Sequence, residues 1–314
     1  SVAIIAFFTR GTSSNVIKAF NECLHTKHSL SNSILFAICG FFILFNFIHN
    51  VYVFNGWNGI KFTASGNKAS AITVKNCVNT GLYFTGCADV YVSDFLVTTA
   101  TATNFANGGV RLENRAEAIL LCNGSILGGA YSIVTGASVY DFNVRPAWSK
   151  FTQVYFDAAT NGSLLNQLFV SKFVNCWFSG GRSGAGSPGM TLGQSNDVTF
   201  ESCEFFNSGS HGALVNATAI GARFNQCLFA DNSVNVAANG GRGLLIAANT
   251  NDFVVQGCRA TNGLYPDGDQ GFGIVVTTGT SDRYIIADNL VTGNATGSVF
   301  DGGSGANKRV ANNY

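Results

Sequence analysis

The stretch Phe200-Glu201-Ser202-Cys203-Glu204-Phe205 is followed by Phe224-Asn225-Gln226-Cys227-Leu228-Phe229, which has the same pattern. In each copy an apolar, a variable and a polar residue precede the Cys. Related copies, of which the last two carry Asn in place of Cys, stand at Phe173–Phe178, Val255–Cys258, Ile286–Asn289 and Val310–Asn313. A phrase that recurs along a chain indicates a repeat architecture, and this decides the fold before single elements are assigned.

A second phrase, in which Gly is followed by apolar, variable and apolar residues, alternates with the first. Its copies begin at Gly59, Gly81, Gly109, Gly129, Gly189, Gly212, Gly243, Gly273 and Gly297. The anchor positions of the Cys phrase are separated by steps from 18 residues (Cys77 to Phe95) to 31 residues (Cys227 to Cys258). Short β-rich runs with a period in the twenties are typical of a solenoid with one coil per repeat.

The sequence therefore predicts an all-β fold, a right-handed single-stranded parallel β-helix (β-solenoid) of about ten or more coils. Leucine-rich repeats have a similar period, but their fixed leucine frame is absent, and left-handed hexapeptide helices are too regular for such uneven steps. In the predicted fold, inward side chains stack on their equivalents one coil away and form columns of Phe, Val, Cys and Asn. Charged residues, which such an interior excludes, make up only 11% of the chain.

Nine cysteines are present, and at least four occupy the same repeat position. We interpret them as a structural column of mainly reduced, buried thiols. A disulfide between rungs stays open as an alternative, because neighbouring strands lie about 4.8 Å apart. The net charge of +1 gives no electrostatic reason to expect nucleic acid as a partner.

Residues 1–54 are predicted to form an apolar N-terminal segment, either the first coils or an attachment region, and residues 55–314 to form the β-helix. The apolar run Ile34–Phe54 approaches the roughly 20 residues that a membrane span needs, but its phrasing fits the repeat better. The start of the chain lacks the basic region of a signal peptide. Since there is no initiator Met, we interpret the chain as a processed or incomplete product.

Three stretches near the C-terminus, Tyr284–Asn294, Asp301–Lys308 and Asn312–Asn313, resemble the closing coils of pectate-lyase-superfamily proteins on bacteriophage tails. The resemblance implies a homotrimeric, tailspike-like or fibre-like appendage on the virion surface. It further implies contact with host cell-surface polysaccharide and with other virion tail proteins. It does not decide the activity, because this scaffold carries lyases, hydrolases, epimerases and plain binders.

Glycoside hydrolysis needs two carboxyl groups roughly 5 to 10 Å apart. Two pairs are candidates for these catalytic groups. Glu113 and Asp141 come from neighbouring coils, whereas Glu201 and Glu204 belong to one rung on either side of a turn. Since stacked outward positions often supply such a separation, spacing alone is weak support for either pair.

Other catalytic signatures of the superfamily are incomplete. No cluster of carboxylates of the kind that metal-dependent lyases use is visible, so no metal site is predicted. Asp267 and Asp269 lie in a Gly-rich turn that suits Ca²⁺, although a solvated turn explains them better. Asp197 and His211 resemble part of the galacturonase pattern, but its Asp pair and basic triplet are missing.

The outward position of the Gly phrase predicts a sugar-binding platform in the first half of the chain. Tyr and cationic side chains alternate there, which favours ring stacking and charge-assisted hydrogen bonds to acidic sugars. The candidate binding residues are Lys61, Tyr83, Arg111 and Tyr131, extended by Arg145 and Trp148 of an irregular loop. A merely solvated sheet face is the alternative.

In the second half the same position becomes apolar. It reads Thr191, Leu214, Leu245, Val275 and Val299. An apolar stripe of this length is rare on a soluble monomer, so it predicts self-association, most simply a homotrimer. The alternatives are an inward/outward register that is wrong by one residue, or a strand that is covered on both faces.

Two functions remain open on this basis. The first is a binding appendage that adsorbs to host glycans, and the second is a polysaccharide-degrading enzyme, a glycoside hydrolase or lyase, on the same scaffold. A third possibility, a secreted β-helix of a cellular organism, would gain if the Asn-X-Ser/Thr sites at Asn123, Asn161, Asn216 and Asn294 were glycosylated.

Overall fold

The computed structural model of the chain describes residues 47–136, 142–182, 186–235, 240–264 and 269–314. These residues form twenty-six β-strands and a single 3₁₀ turn at Phe142–Val144. All the strand pairs are parallel, and each strand pairs with its equivalent in the next coil. The chain is thus a right-handed parallel β-solenoid, and the predicted fold class is confirmed.

Sheet B is the simpler of the two sheets, with ten strands, one from each coil, in sequence order. The Gly phrase precedes or begins most of these strands. Its glycines are needed because the coils approach closely here: a Cβ added to Gly81 would overlap the carbonyl oxygen of Gly109 and the side chain of Val97. The strands are β2 (Asn58–Phe62), β4 (Thr80–Thr85), β6 (Val110–Glu113), β8 (Ile133–Thr135), β10 (Ser163–Leu165), β13 (Met190–Leu192), β16 (Ala213–Val215), β19 (Gly241–Ile246), β22 (Gln270–Gly279) and β25 (Gly297–Gly303).

Sheet A has sixteen strands and bends along its length. Its first strands are long and cross the bend, namely β1 (Phe47–Phe54), β3 (Lys68–Lys75), β5 (Tyr91–Thr98), β7 (Leu120–Leu127) and β9 (Lys150–Ala159). From β9 onward each coil supplies two short strands. Those before the bend are β11 (Phe169–Val174), β14 (Asn196–Glu201), β17 (Arg223–Asn225), β20 (Val254–Gln256), β23 (Tyr284–Ala287) and β26 (Lys308–Ala311). Those after it are β12 (Trp177–Gly180), β15 (Glu204–Phe206), β18 (Leu228–Ala230), β21 (Arg259–Thr261) and β24 (Leu290–Thr292).

One residue per coil makes the bend, and we call it the corner residue. Its φ lies between 50° and 64° in every described coil, a left-handed value that turns the strand sharply within a single residue. Asn and Asp are frequent at this position because they tolerate such a backbone. The corner residues are Asn50, Ala71, Asp94, Asn123, Gln153, Asn175, Ser202, Gln226, Gly257, Asp288 and Asn312. The parts of sheet A before and after the corner are called face A1 and face A2.

The Phe residues of the repeated phrase fill the core of the middle coils. On the inner side of face A1, Phe151, Phe173, Phe200 and Phe224 stack with ring centroids 4.4, 5.0 and 4.9 Å apart. On the inner side of face A2, Phe156, Phe178, Phe205 and Phe229 stack at 4.9, 5.0 and 5.0 Å. Rings of the two columns meet edge to face, as in Phe200 and Phe205 at 5.6 Å. These two columns, all eight rings fully buried, replace a globular core.

The Cys of the phrase points inward immediately after the corner, as predicted. Its thiol donates to a carbonyl one coil earlier: Cys203 Sγ to Phe173 O at 3.5 Å and Cys227 Sγ to Phe200 O at 3.5 Å. The amide of Asn289 makes the same bond, to Val255 O at 3.1 Å. Cys and Asn are therefore interchangeable donors in one column, and the pKa of the Cys227 thiol, raised well above its usual range by burial, keeps that donor protonated.

All seven described cysteines are free thiols. One sequence assignment is wrong, however: Cys77 does not belong to this column. Ile72 pairs with Phe95 and occupies the position, whereas Cys77 is buried in the turn after β3. The step between the anchor positions of these two coils is therefore 23 residues, from Ile72 to Phe95, and not the 18 residues counted from Cys77. The series of steps thus loses its shortest value.

The N-terminal division at residue 54 stays a prediction, because residues 1–46 lie outside the described ranges. The last part of this N-terminal segment, β1, pairs with β3 and so forms one more coil. Within the described ranges, no helix has the length and apolar character required to cross a bilayer.

Candidate functional site

The structure brings three predicted binding residues together with one predicted catalytic residue on the outer side of sheet B. Lys61, Tyr83 and Arg111 occupy one outward column, in register from coil to coil. The Lys61 Nζ lies 4.9 Å from the Tyr83 ring centroid, a cation–π contact. Glu113, two residues after Arg111, accepts hydrogen bonds from the Tyr83 hydroxyl and from Arg111 Nε, the latter at 2.8 Å.

Within this network the charges of Arg111 and Glu113 neutralise each other. Arg111 also places a terminal nitrogen 2.6 Å from Glu113 Oε2, and both side chains are largely buried. Burial and the neighbouring Glu113 carboxylate raise the pKa of Tyr83 to about 12, so the phenol stays neutral. Both oxygens of the Glu113 carboxylate are therefore hydrogen-bonded. The network resembles a structural cluster and not a free catalytic acid beside a groove.

The position predicted for Tyr131 is wrong. Val134 pairs with Arg111 and continues the outward column, while Tyr131 lies in the turn before β8. The Gly129 phrase is part of that turn and does not begin a strand. A similar error affects Val299, which pairs with the inward Ile274, so that the outward residue of the last coil is Phe300.

The other candidates lie elsewhere. Arg145 and Trp148 follow the 3₁₀ turn, in the connection between sheet B and face A1. Both contact Phe169: the Arg145 guanidinium carbon lies 3.5 Å from the ring centroid, and Trp148 meets the ring edge-on at 6.2 Å. Asp141, the predicted partner of Glu113, lies outside the described residues, as does Asp267 of the predicted Ca²⁺ turn. No group of three or more potential metal ligands occurs in the described part of the chain.

Glu201 and Glu204 are placed on different faces by the corner residue Ser202. Glu201 is on face A1, where it forms an ion pair with Lys172. Glu204 is on face A2, exposed, one rung from Trp177. Glu204 therefore lies beside Trp177, which lines a groove that the sequence did not single out, although Glu204 itself is not part of the lining.

This groove, which we call the A2 groove, lies where face A2 turns toward sheet B and has a volume of about 590 Å³. One side is aromatic. Tyr155 meets Trp177 edge-on at 5.0 Å, and Trp177 packs against Phe206 at 4.7 Å. The polar residues of the lining include Asp157, Ser179, Arg182 and Asn207. Ala102, from the long turn after β5, also lines the groove.

The polar groups of the A2 groove are only partly satisfied. The Ser179 hydroxyl donates to Asp157 Oδ1, and Arg182 Nε donates to the backbone oxygen of Asn207 at 3.1 Å. In contrast, Trp177 Nε1 and Asn207 Oδ1 are buried and have no hydrogen-bond partner among the described residues. Buried polar atoms are nearly always paired, so this donor and this acceptor call for an explanation.

A second depression, of about 570 Å³, lies near the C-terminal end of face A1. Three of its five charged lining residues are paired: Arg283 makes two hydrogen bonds to Asp252, at 2.7 and 2.8 Å, and Lys308 lies 2.8 Å from Asp301. It is also the more open of the two depressions and has no aromatic shelf on its surface. The A2 groove is therefore the better candidate for a binding site.

Comparison with solved structures supports the fold. The A-module of the Azotobacter vinelandii mannuronan C-5 epimerase AlgE4 matches with a TM-score of 0.52 and 12% identity, over 83% of this chain and 80% of that one. Tailspike protein 3 of bacteriophage CBA120 matches with a TM-score of 0.58 and 12% identity, over 83% of this chain and 46% of the tailspike. At this identity the likeness concerns the β-helix alone, and the chain spans less than half of the tailspike. No family model and no curated protein sequence matches the chain.

Proposed function

We propose that the chain is a tailspike-like or fibre-like virion appendage that adsorbs to a host cell-surface glycan in the A2 groove. The observation that carries the proposal is the combination in one groove of an aromatic wall with an unsatisfied donor and an unsatisfied acceptor. Sugar rings offer apolar C–H faces to aromatic side chains and hydroxyl groups to polar atoms, so a glycan matches both features.

The apolar stripe supports the accompanying proposal of a homotrimer. The outward column of sheet B continues from Arg111 through Val134, Leu164, Thr191, Leu214, Leu245, Val275 and Phe300. Subunits that pack through this column would also cover the Arg111–Glu113 ion pair, whose two charges neutralise each other. The A2 groove lies on a different sheet and stays open to host polysaccharide, which is why we assign binding to it.

We expect the chain to be trimeric in solution, and we expect Leu245→Glu to weaken the trimer. A charge at the centre of the stripe would be desolvated in the interface, which is unfavourable unless it is paired. Analytical ultracentrifugation of both proteins measures this. Leu290→Glu is the matched control, because Leu290 is equally apolar but lies exposed on face A2. A monomeric wild-type chain, or equal dissociation of the two variants, would remove the support for the stripe as an interface.

Trp177→Ala is expected to weaken binding to host polysaccharide at least about tenfold, the equivalent of about 1.4 kcal/mol. The substitution removes both the stacking surface and the indole N–H of the groove. Capsular polysaccharide or lipopolysaccharide from the host, immobilised for surface plasmon resonance, serves as ligand. Trp148→Ala is the control, since Trp148 is an exposed Trp that lies in the connection between sheet B and face A1, outside the groove. Unchanged affinity of the Trp177 variant would contradict the assignment of the groove.

A second candidate function is polysaccharide degradation in the same groove. The observation in its favour is the position of two carboxylates, Asp157 in the groove and Glu204 one rung from Trp177 on its other side. Incubation of host polysaccharide with the protein, followed by analysis of released oligosaccharides, decides between the two functions. Release that is lost in Asp157→Asn and Glu204→Gln would establish a depolymerase, whereas binding without release favours the adsorption function.

A further inference from the structure

We infer that the A2 groove recognises an N-acetylated amino sugar through its acetamido group, with Trp177 Nε1 and Asn207 Oδ1 as the recognising atoms. The inference rests on the proposed glycan-binding function and specifies the chemical class of its ligand. Three features of the groove lead to it: the identity of the unsatisfied atoms, the apolar surface beside them, and the charge of the remaining lining.

The unsatisfied atoms of the groove differ from the others in the molecule. Among the described residues, six buried side-chain atoms lack a hydrogen-bond partner, and four of them are hydroxyl oxygens of Thr80, Ser132, Ser163 and Ser281. A hydroxyl can rotate and serve as donor or acceptor. The remaining two, an indole N–H and an amide oxygen, have fixed roles, and both belong to residues that line the A2 groove.

One donor and one acceptor in the same groove match a secondary amide. An acetamido group presents a carbonyl oxygen, which Trp177 Nε1–H would satisfy, and an N–H group, which Asn207 Oδ1 would accept. It also carries a methyl group, for which the ring of Phe206 and the side chain of Ala158 offer apolar contact. A sugar hydroxyl carries its donor and its acceptor on a single oxygen and has no methyl group, so it fits the pair less well.

The rest of the lining suits the pyranose ring of such a sugar. Asp157 accepts one hydrogen bond from Ser179 and has further lone pairs for sugar hydroxyls. Its negative charge disfavours a carboxylate at the same subsite. Arg182 is exposed, lines the groove and donates from its Nε to the Asn207 backbone oxygen at 3.1 Å.

The test compares two tetrasaccharides that share length and β-1,4 linkage and differ only at carbon 2. Chitotetraose carries an acetamido group there and cellotetraose carries a hydroxyl group. We expect the full chain to bind chitotetraose at least about tenfold more tightly in isothermal titration calorimetry, because only the acetamido group pairs both atoms. Deacetylated chitotetraose, whose ammonium group has no carbonyl oxygen and no methyl group, is expected to lose most of this preference.

Trp177→Phe tests the indole N–H, since it keeps a six-membered aromatic ring for stacking and removes the donor together with the five-membered ring. We expect this variant to bind the two tetrasaccharides with nearly equal affinity. Asn207→Leu tests the acceptor in the same way, and Trp148→Phe is the control that should keep the wild-type preference. A preference that persists in both groove variants overturns the assigned atoms.

The outcomes separate this inference from the proposed function. Equal affinity of the wild-type chain for both tetrasaccharides, or binding of host polysaccharide alone, overturns the acetamido inference and leaves glycan adsorption intact. Failure to bind either tetrasaccharide or the host polysaccharide overturns both. A chitotetraose preference that disappears in Trp177→Phe supports both.

Discussion

Phe200→Ala is expected to lower the free energy of unfolding by about 3–5 kcal/mol, the usual cost of removing a fully buried aromatic ring. Phe200 has stacked neighbours on both sides, Phe173 at 5.0 Å and Phe224 at 4.9 Å, and it meets Phe205 and Phe178 edge-on. The cavity cannot easily close, because each neighbouring ring is fixed by its own coil. Denaturant titration followed by circular dichroism measures the loss.

Tyr52→Ala is the control for this experiment. Tyr52 is also aromatic but is 52% exposed on face A2, away from the outward column of sheet B. Its substitution is expected to cost less than about 1 kcal/mol. Similar losses for the two variants would mean that the stacked columns are not the main source of stability in the middle coils.

Stability is expected to fall as the pH decreases from about 6.5 to about 4, by up to about 3 kcal/mol from His211 alone. Burial, helped by the charge of Arg242, lowers the pKa of His211 to about 4 in the folded chain, whereas the unfolded chain keeps the ordinary value of 6.5. Below pH 6.5 only the unfolded state takes up this proton. The stabilisation by the neutral imidazole is therefore fully present above pH 6.5 and is lost as the pH falls toward 4.

His211→Asn separates this contribution from that of the carboxylates, which titrate in part of the same range. The imidazole Nδ1 accepts a hydrogen bond from the backbone N–H of Arg242 at 3.1 Å, and an Asn side-chain oxygen keeps an acceptor there. We expect the difference in unfolding free energy between the wild type and His211→Asn to change with pH in this window. A difference that stays constant from pH 7 to pH 4 would show that His211 does not titrate abnormally.

The repeat made the core predictable. A rung spacing of about 4.8 Å requires equivalent residues to stack, so the spacing of Phe200 and Phe224 was sufficient to predict a ring column and an inward Cys. The same rule found Lys61, Tyr83 and Arg111 as one outward column. It failed at Tyr131 and Cys77, where Gly or Cys occurs in a turn by chance and imitates the phrase, because composition alone does not reveal where a strand begins.

The A2 groove was less predictable, since its residues come from different coils and from turns. Trp177 stands in a copy of the repeated phrase, but its partners Asp157 and Asn207 carry no motif and come from the coils before and after it. The signal that could have found them is the outward alternation of Tyr155 and Asp157, continued one coil later by Trp177 and Ser179. The ion pair of Glu201 and the neutralisation of Glu113 depend on side-chain geometry that no spacing rule supplies.

The corner residue between faces A1 and A2 offers a reference point for aligning the coils of this chain with one another. None of the described coils inserts or deletes a residue at this corner, whereas the turns on either side of sheet B range from the three residues at 160–162 to the fourteen at 136–149. Numbering each coil outward from its left-handed residue therefore places equivalent positions side by side. An alignment of coils anchored on Cys or Gly, which also occur in turns, would pair residues that belong to different rungs or to different faces.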